Sequence, residues 1–179
     1  TVSVSDDFEM LTRPFNIANG VTLPPGKYDF TSYKTSYRLG TQRKVSGQLS
    51  LRIGDFWSGK NTSIGISSGR IELSPQLSLE PSYSINRVEL PEGDFRTELG
   101  RLRITYTLSP RMYVGGLVQY DSNAKSFSTN LRFRWEWAPG SELFLVYSDD
   151  RDTDPFGSPS SMELRNRGWA IKINKLFQI

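Results

Sequence analysis

Residues 127–137 read FSTNLRFRWEW, and their side chains alternate in character at every position. Five of the six odd positions are Phe, Leu or Trp, whereas the even positions carry only Ser, Asn, Arg and Glu. Such alternation predicts a β-strand with one apolar face and one charged face. The pattern outlasts the usual soluble strand of about 5–6 residues and matches the roughly 9–11 residues that a tilted strand needs to cross a bilayer. We therefore expect Phe133 and Trp135 to face lipid while Arg132 and Arg134 face water.

The same two-sided pattern recurs along the chain, for example in 45–53, 76–86 and 101–108. On the apolar positions we expect lipid-facing side chains, namely Leu49, Leu51, Leu102, Ile104, Leu131, Phe133, Trp135, Ile171 and Ile173. On the charged positions between them we expect side chains that face a watery lumen, namely Arg52, Arg101, Arg103, Arg132, Arg134 and Glu136. A membrane barrel must place its apolar positions outside and its charged positions inside, the reverse of a soluble protein.

Strand-like segments follow one another from end to end, and no stretch has a convincing helical pattern. We place them at roughly 2–11, 27–39, 43–56, 61–73, 76–88, 95–108, 111–121, 125–138, 142–150 and 167–179. Adjacent strands joined by a few residues can pair only in antiparallel fashion. The sequence therefore predicts one all-β domain over 1–179, an antiparallel up-and-down meander of about 8–10 long strands. We expect a transmembrane β-barrel or the C-terminal part of a larger one.

The connections between these segments fall into two kinds. Tight turns that contain proline are predicted at 73–76, 108–111 and 138–141, and longer polar loops at 54–61, 88–96, 120–125 and 148–167. Outer-membrane barrels have short turns on the periplasmic side and longer loops outside the cell. Counted back from a periplasmic C-terminus, all three tight turns fall on the periplasmic side, as this architecture requires.

Composition excludes several classes of function. The 179 residues carry 22 Lys and Arg against 19 Asp and Glu, and the net charge of +3 is too small to indicate nucleic-acid binding. With a hydrophobic content of 36% and a mean hydropathy of -0.46, the chain has no apolar run long enough for a transmembrane helix. It has no Cys and no His, which excludes thiol chemistry, Ser-His-Asp triads and the usual zinc sites. We expect no catalytic activity and no cofactor, because catalysis near neutral pH usually needs a group that titrates there.

The C-terminal segment indicates a location. One parity is shared by Trp169, Ile171, Ile173, Phe177 and Ile179, so the chain ends aromatic–x–hydrophobic, although Lys175 interrupts the pattern. Bacterial outer-membrane barrels commonly end in a strand of this type. We expect the bacterial outer membrane as the location and its lipid as a partner. The chain begins at Thr1 without a signal peptide, so we expect either a mature protein or a piece of something larger.

Several stretches resemble one family of bacterial proteins. They are VQYDS at 118–122, TNLRFRW at 129–135, PGSELFLVY at 139–147, PPGKY at 24–28 and GDFWSG at 54–59. They are similar to the C-terminal region of uncharacterised outer-membrane proteins in which a carbohydrate-binding domain resembling family 9 precedes a large β-barrel. The resemblance implies the C-terminal part of a longer barrel or a shortened relative, with an upstream domain or other envelope proteins as partners. It assigns no activity, and no sugar-binding role passes to these residues.

Three other residue sets could form functional sites, but each also has a simpler structural explanation. Asp150, Asp152 and Asp154 have the early spacing of a calcium loop, but no Gly follows at the sixth place and no Glu closes the loop at the twelfth, so a solvated loop is favoured. Glu98 and Glu136 could pair as glycosidase carboxylates, yet no other feature gathers them into a site. The large aromatic side chains are better explained as an interfacial girdle than as sugar-stacking groups: Trp57, Tyr120, Trp135, Trp137, Tyr147 and Trp169.

Two interpretations of the arginine set stay open. The arginines can line an anion-attracting lumen, or they can pair with Glu80, Glu98 and Glu136 across strands and fill a narrow barrel, which we favour. Two classes of function also remain. The first is an outer-membrane barrel without catalytic activity that serves as a pore, a transport-associated barrel or an anchor, and the second is a soluble all-β carbohydrate-binding module. Strand length and the charged parity favour the membrane barrel.

Overall fold

The computed structural model describes residues 1–40, 42–153 and 162–177, and every regular element within them is a β-strand. The strands are β1 (Val2–Leu11), β2 (Phe15–Ala18), β3 (Val21–Leu23), β4 (Gly26–Leu39), β5 (Val45–Phe56), β6 (Gly59–Ser74), β7 (Leu77–Leu90), β8 (Gly93–Ser109), β9 (Met112–Asp121), β10 (Ser126–Ala138), β11 (Ser141–Asp152) and β12 (Glu163–Asn174). The described residues contain no helix of the length and apolarity that membrane crossing requires. The all-β fold class predicted from the alternation is confirmed.

Ten of these strands form one antiparallel sheet in the order β1-β4-β5-β6-β7-β8-β9-β10-β11-β12, and β2 pairs with β3 in a separate hairpin. Apart from that inserted hairpin, every strand pairs with its neighbour along the chain, as short connections require. The predicted meander is confirmed, with the strand number at the upper end of the expected range. The strands β1 and β12 are the two edges of this sheet, and they do not pair with each other in the described part of the chain.

The connections differ from the prediction at one end of the sheet. The loops expected at 54–61 and 88–96 are tight turns at 57–58 and 91–92, because the polar residues around them continue the paired strands. Strand pairing likewise extends through 148–152 of β11 and 163–167 of β12. The predicted long loops are therefore wrong at 54–61 and 88–96, while the connection predicted at 148–167 is confined to the residues between Asp152 and Glu163.

The last predicted strand also needs correction. β12 begins earlier than expected, at Glu163, and ends at Asn174 instead of continuing to the C-terminus. Residues 175–177 follow it without strand structure, while 178 and 179 lie outside the described residues. Alternation alone overestimated this strand at its end, because a side-chain pattern does not show whether a partner backbone is still alongside.

A large bulge in β6 has its cause in the opposite strand. The pairing of β6 with β7 is interrupted between Ile66 and Ile71, where Pro81 stands across from it. Proline has no N–H to contribute to a ladder, so in sheets it is confined to edges and bulges. Gly69 fits at this place because a Cβ there would lie 2.5 Å from the Pro81 carbonyl oxygen.

The register places the two kinds of side chain on opposite faces of the sheet. Direct partners share a face, and the paired series Leu131, Gly116, Ile104 and Leu79 runs across β10, β9, β8 and β7. We call the face that carries this series the apolar face. The opposite face, which carries Arg132 and the other residues of its parity, is the polar face.

The buried core of the described chain lies at one end of the polar face. We call this the hairpin end, because the β2–β3 hairpin packs there through Val21 and Leu23 against Val88 and Leu90 of β7. Positions that are polar along the rest of this face become apolar beneath the hairpin. Other side chains packed around this core are Leu11, Ile17, Ala18, Phe56, Trp57 and Phe95.

Trp57 fixes the turn between β5 and β6 to this core. Its φ of 52° is a left-handed conformation that is uncommon for a non-glycine residue. Its ring centroid lies 5.2 Å from that of Tyr28, 5.9 Å from Phe30 and 6.0 Å from Phe15. Aromatic pairs at such distances add about 0.5–1.5 kcal/mol beyond simple burial. Trp57 therefore belongs to the hairpin core, and its predicted place in an interfacial girdle is wrong.

We expect the substitution Leu23→Ala to destabilise the hairpin end. Leu23 is fully buried, and its truncation should cost about 2–5 kcal/mol because transfer free energy is lost and a cavity remains. Urea unfolding in non-ionic detergent measures the change. Leu99→Ala, at a half-exposed position on the polar face, is the control and should cost less than about 1 kcal/mol. Equal losses in the two variants would contradict this packing.

Candidate functional site

The residues predicted to face lipid share the apolar face. They are Leu49, Leu51, Leu102, Ile104, Leu131, Phe133, Trp135, Ile171 and Ile173. Ile171 and Ile173 are 68% and 67% exposed, and within the described residues nothing outside the sheet packs on this face. An apolar face this extensive needs an apolar medium or a partner to cover it.

The apolar face ends in a charged belt toward the hairpin end. On β7, Ile85 is followed by Arg87 and Glu89, which form an ion pair of 2.9 Å between Nε and Oε1. On β8, Arg96 and Glu98 pair at 2.7 Å between Nη2 and Oε1. The apolar part of β8 therefore runs over 100–108, about 26 Å of strand at roughly 3.3 Å per residue. These nine residues lie at the lower end of the about 9–11 that a tilted strand needs to cross a bilayer.

Asp149 lies in the same belt, beyond the apolar band, and is only 6% exposed. Arg151 donates from Nε to Asp149 Oδ1 at 2.6 Å, and Arg167 donates from Nε to Oδ2 at 2.9 Å. The hydroxyl of Tyr147 donates to Oδ2 at 3.1 Å. The hydrogen bond from Arg151, together with those from Arg167 and Tyr147, lowers the pKa of the Asp149 carboxyl to about 2, although burial opposes the shift. The charged carboxylate thus joins β11 to β12 at this end.

The residues predicted to face a lumen share the polar face: Arg52, Arg101, Arg103, Arg132, Arg134 and Glu136. Arg134 makes the shortest contact of this set, with Nη2 2.7 Å from Oε2 of Glu142 and 3.8 Å from Oε2 of Glu136. Its Nε also donates to Glu142 Oε2 at 2.8 Å. Glu136 and Glu142 are direct partners across β10 and β11, so one guanidinium bridges two facing carboxylates and reduces the repulsion between them.

Glu142 is the partner that the sequence interpretation missed. The tight Pro-Gly turn at 139–140 was the available signal, because it fixes the register that sets Glu142 opposite Glu136. Of the expected partners, Glu136 takes part in the cluster, and Glu80 lies at the limit, with Oε2 4.0 Å from Arg103 Nη1. The favoured pairing thus holds for part of the arginine set.

Glu98 contradicts two expectations. It lies on the apolar face opposite Ile85 and pairs with Arg96, so its predicted pairing with lumen arginines is wrong. Glu136 lies on the polar face. Because the two carboxylates stand on opposite faces of one sheet, they cannot act on the same glycosidic bond, and the glycosidase pair is excluded.

The acidic run does not assemble into a cation site among the described residues. Asp152 accepts a hydrogen bond from Nη2 of Arg165 at 2.7 Å, and Asp149 faces the opposite side of the sheet from Asp150 and Asp152. Asp154, the third carboxylate of the predicted calcium loop, lies outside the described residues. No group of three potential metal ligands converges within the part of the chain that is described.

Other polar-face arginines have no carboxylate partner in the described part of the chain. Within residues 1–40, 42–153 and 162–177, Arg52, Arg101 and Arg132 make no ion pair. Arg132 stands between Gly115 on β9 and Val146 on β11, so neither neighbouring strand offers it a charge. The described polar face therefore combines ion-paired clusters with arginines that have no carboxylate partner, and neither of the two interpretations of the arginine set covers all of it.

The contact between Arg134 and Glu142 should be energetically coupled. We expect Arg134→Gln to destabilise the sheet by about 1 kcal/mol, because two facing carboxylates lose their shared cation. A second substitution, Glu142→Gln, should restore part of that loss, since it removes the repulsion with Glu136. Unfolding free energies of the wild type, both single variants and the double variant give the coupling energy. Strict additivity of the two changes would show that the contact contributes nothing.

Comparison with known proteins assigns this chain to no family. No protein-family model matches it, and neither does any curated protein or solved structure. The resemblance of its stretches to the barrel region of outer-membrane proteins therefore stays an expectation from the sequence.

Proposed function

We propose that this chain forms the barrel wall of a bacterial outer-membrane protein that serves as a pore, a transport-associated barrel or an anchor, and that it performs no catalysis. The observation that carries the proposal is the uncovered apolar face, which spans the ten-stranded sheet opposite a polar and charged face. Lipid would cover the first face and water the second. Such a sheet also satisfies its own backbone between strands, which hydrocarbon demands.

The stagger of the sheet supports a barrel. A continuous series of direct pairs runs from Thr1 through Ser36, Ser50, Gly65, Ser84, Leu99, Asp121, Ser126 and Asp152 to Glu163. This series crosses the strands at right angles. On β1 it lies at the end far from the hairpin end, whereas on β12 it lies at the hairpin end. Relative to the hairpin end, the strands are therefore shifted along their own direction by about the full length of β1, which has 10 residues.

This displacement converts into a strand tilt. About 33 Å of stagger accumulates over roughly 43 Å of sheet width, at ~3.3 Å per residue and ~4.8 Å per strand, which gives a tilt of about 35–40°. Strands of β-barrels tilt by about 35–45°. The two edges also run in opposite directions, so β1 and β12 can close on each other or accept further antiparallel strands. Either closure would remove the exposed edges.

The β2–β3 hairpin shapes the proposed lumen. It lies on the polar face, which would be the inside of the barrel, and its core occupies the hairpin end of that face. A hairpin at this place would narrow one mouth of the lumen. This arrangement favours a narrow pore or an anchor over a wide channel.

The charged side chains of the polar face support a role without chemistry. The carboxylates near Arg134 are tied in ion pairs, and no His or Cys is present in the sequence. An inner face with rows of Arg, Glu, Ser and Asn is typical of a filled or weakly ion-selective lumen.

The alternative, a soluble carbohydrate-binding module, requires a second layer over the apolar face. The described residues supply none. Five of the six candidate sugar-stacking aromatics lie on the apolar face: Trp135 contacts Trp137, Tyr147 contacts Trp169, and Tyr120 is the register partner of Phe127. The sixth, Trp57, belongs to the hairpin core at the end of the polar face. These placements favour an interfacial girdle for the five residues on the apolar face.

We expect Phe133→Arg to destabilise the protein in micelles by about 2–4 kcal/mol, because Phe133 lies near the middle of the apolar stretch 127–137, where a charge would enter hydrocarbon. Leu99→Arg introduces the same charge on the polar face and should change stability by less than about 1 kcal/mol. The readout is the unfolding free energy in detergent. Similar losses at both positions, or a wild type fully soluble without detergent, would count against the membrane assignment.

We expect the full-length protein in planar bilayers to conduct weakly and to prefer anions if the lumen is open. Neutralising Arg101 and Arg132 together, as Gln, should shift selectivity toward cations, because both charges lack carboxylate partners among the described residues. Arg87→Gln, in the belt of the opposite face, is the matched control and should leave selectivity unchanged. Unchanged selectivity in the double variant refutes the lumen assignment, and absence of any conductance leaves the anchor as the proposed role.

A further inference from the structure

Two positive side chains of the polar face stand directly opposite each other without a carboxylate between them. Lys34 of β4 and Arg52 of β5 are partners in register. Like charges in this position destabilise an antiparallel pair. Among the described residues neither side chain makes an ion pair, in contrast to Arg134, which is neutralised by Glu142 at 2.7 Å.

The depression beside this pair is lined mainly by polar side chains and by no carboxylate. A depression of about 210 Å³ is lined by Lys34, Arg52, Ser50, Ser63, Ser84 and Asn86. Gly65 lies among them, and a Cβ there would come 3.2 Å from Ser50 Oγ, so its lack of a side chain keeps the depression open. Hydroxyl and amide groups beside two cations are donors for a ligand rich in oxygen atoms.

Two carboxylates lie near this pair without neutralising it. Asp7 and Asp55 line an adjacent depression together with Arg52, but among the described residues neither forms an ion pair with Arg52. Asp7 is the register partner of Phe30, which stands four residues from Lys34 on β4, about 13 Å along the strand. The positive charge of Lys34 and Arg52 is therefore left for an external anion.

We propose that Lys34 and Arg52 form the centre of a binding site for a soluble oxyanion, such as a phosphate or sulfate group. The guanidinium of Arg52 offers paired N–H donors to two oxygens of such a group, and the ammonium of Lys34 supplies a compact charge from the opposite strand. The hydroxyl of Ser84 adds a neutral donor. Ser50 donates to the Gly65 carbonyl oxygen at 3.5 Å and Ser63 donates to Asn61 Oδ1 at 3.3 Å, so these two hydroxyls would turn toward the ligand by exchanging those bonds. A bound oxyanion would convert the repulsion between β4 and β5 into a bridge.

The site selects for oxyanions over simple halides. Chloride would satisfy the charge, but it cannot present separate oxygens to donors that converge from β4, β5, β6 and β7. The volume exceeds that of one phosphate group, so a small phosphorylated or sulfated molecule also fits. The proposed site does not require a closed barrel, because all of these residues lie on one continuous face of the sheet.

The test uses the full chain in non-ionic detergent and inorganic phosphate as the probe. Isothermal titration should show saturable binding of phosphate to the wild type, with sulfate competing and chloride at equal ionic strength failing to compete. The double variant Lys34→Gln, Arg52→Gln should bind phosphate at least about tenfold more weakly, since both charge-assisted contacts are removed. Arg132→Gln, which removes one uncompensated charge elsewhere on the polar face, should bind within about twofold of the wild type.

Thermal unfolding gives a second readout that does not require tight binding. Without phosphate, the double variant should melt at the same temperature as the wild type or higher, because a like-charge contact is removed. With phosphate, the melting temperature of the wild type should rise and that of the double variant should not. Absence of a phosphate effect on the wild type, equal effects in both proteins, or the same loss in Arg132→Gln would each overturn the proposal.

Discussion

A single sheet cannot bury either of its own faces, and this constraint governs the whole molecule. Nearly all of the described chain is committed to one ten-stranded meander, so most apolar side chains have no second protein layer to contact. The backbone is satisfied between strands, but the side chains of the apolar face remain open, with Trp169 72% exposed. Water is a poor medium for such a face, whereas hydrocarbon costs it nothing. The proposed membrane role is a consequence of this imbalance.

Within the described residues, only one part of the sheet is covered by another element. At the hairpin end, the β2–β3 hairpin folds over the polar face, and Val88, Leu90 and Phe95 replace the polar side chains found farther along the same parity. The local reversal gives the described chain its buried core. In a barrel this core would sit inside one mouth, so the element that stabilises the fold would also restrict passage through it.

Charged side chains differ in position and pairing between the two faces of the sheet. On the apolar face it is confined to a belt near the hairpin end, where Arg96 pairs with Glu98 and Asp149 with Arg151 and Arg167. On the polar face, Arg134 is compensated by Glu142, while Lys34 and Arg52 face each other without a carboxylate partner among the described residues. Ion pairs between facing strands stabilise their pairing, whereas two like charges in register repel each other until a ligand of opposite charge binds. The proposed oxyanion site follows from this contrast.

Alternation in the sequence was enough to predict the all-β class, the antiparallel meander and the residues that share each face, because side-chain direction along a strand has a fixed period of two. The separation of Leu131 and Phe133 from Arg132 and Arg134 is read directly from that period. Contacts between strands needed the tertiary structure, since register depends on turn length and bulges. It placed Glu142 beside Arg134 and shortened the loops at 54–61 and 88–96. The place of Glu98 on the apolar face, by contrast, follows from the parity it shares with Leu102 and Ile104. The hairpin core and the facing of Lys34 with Arg52 arise from pairing between distant segments, which no local pattern encodes.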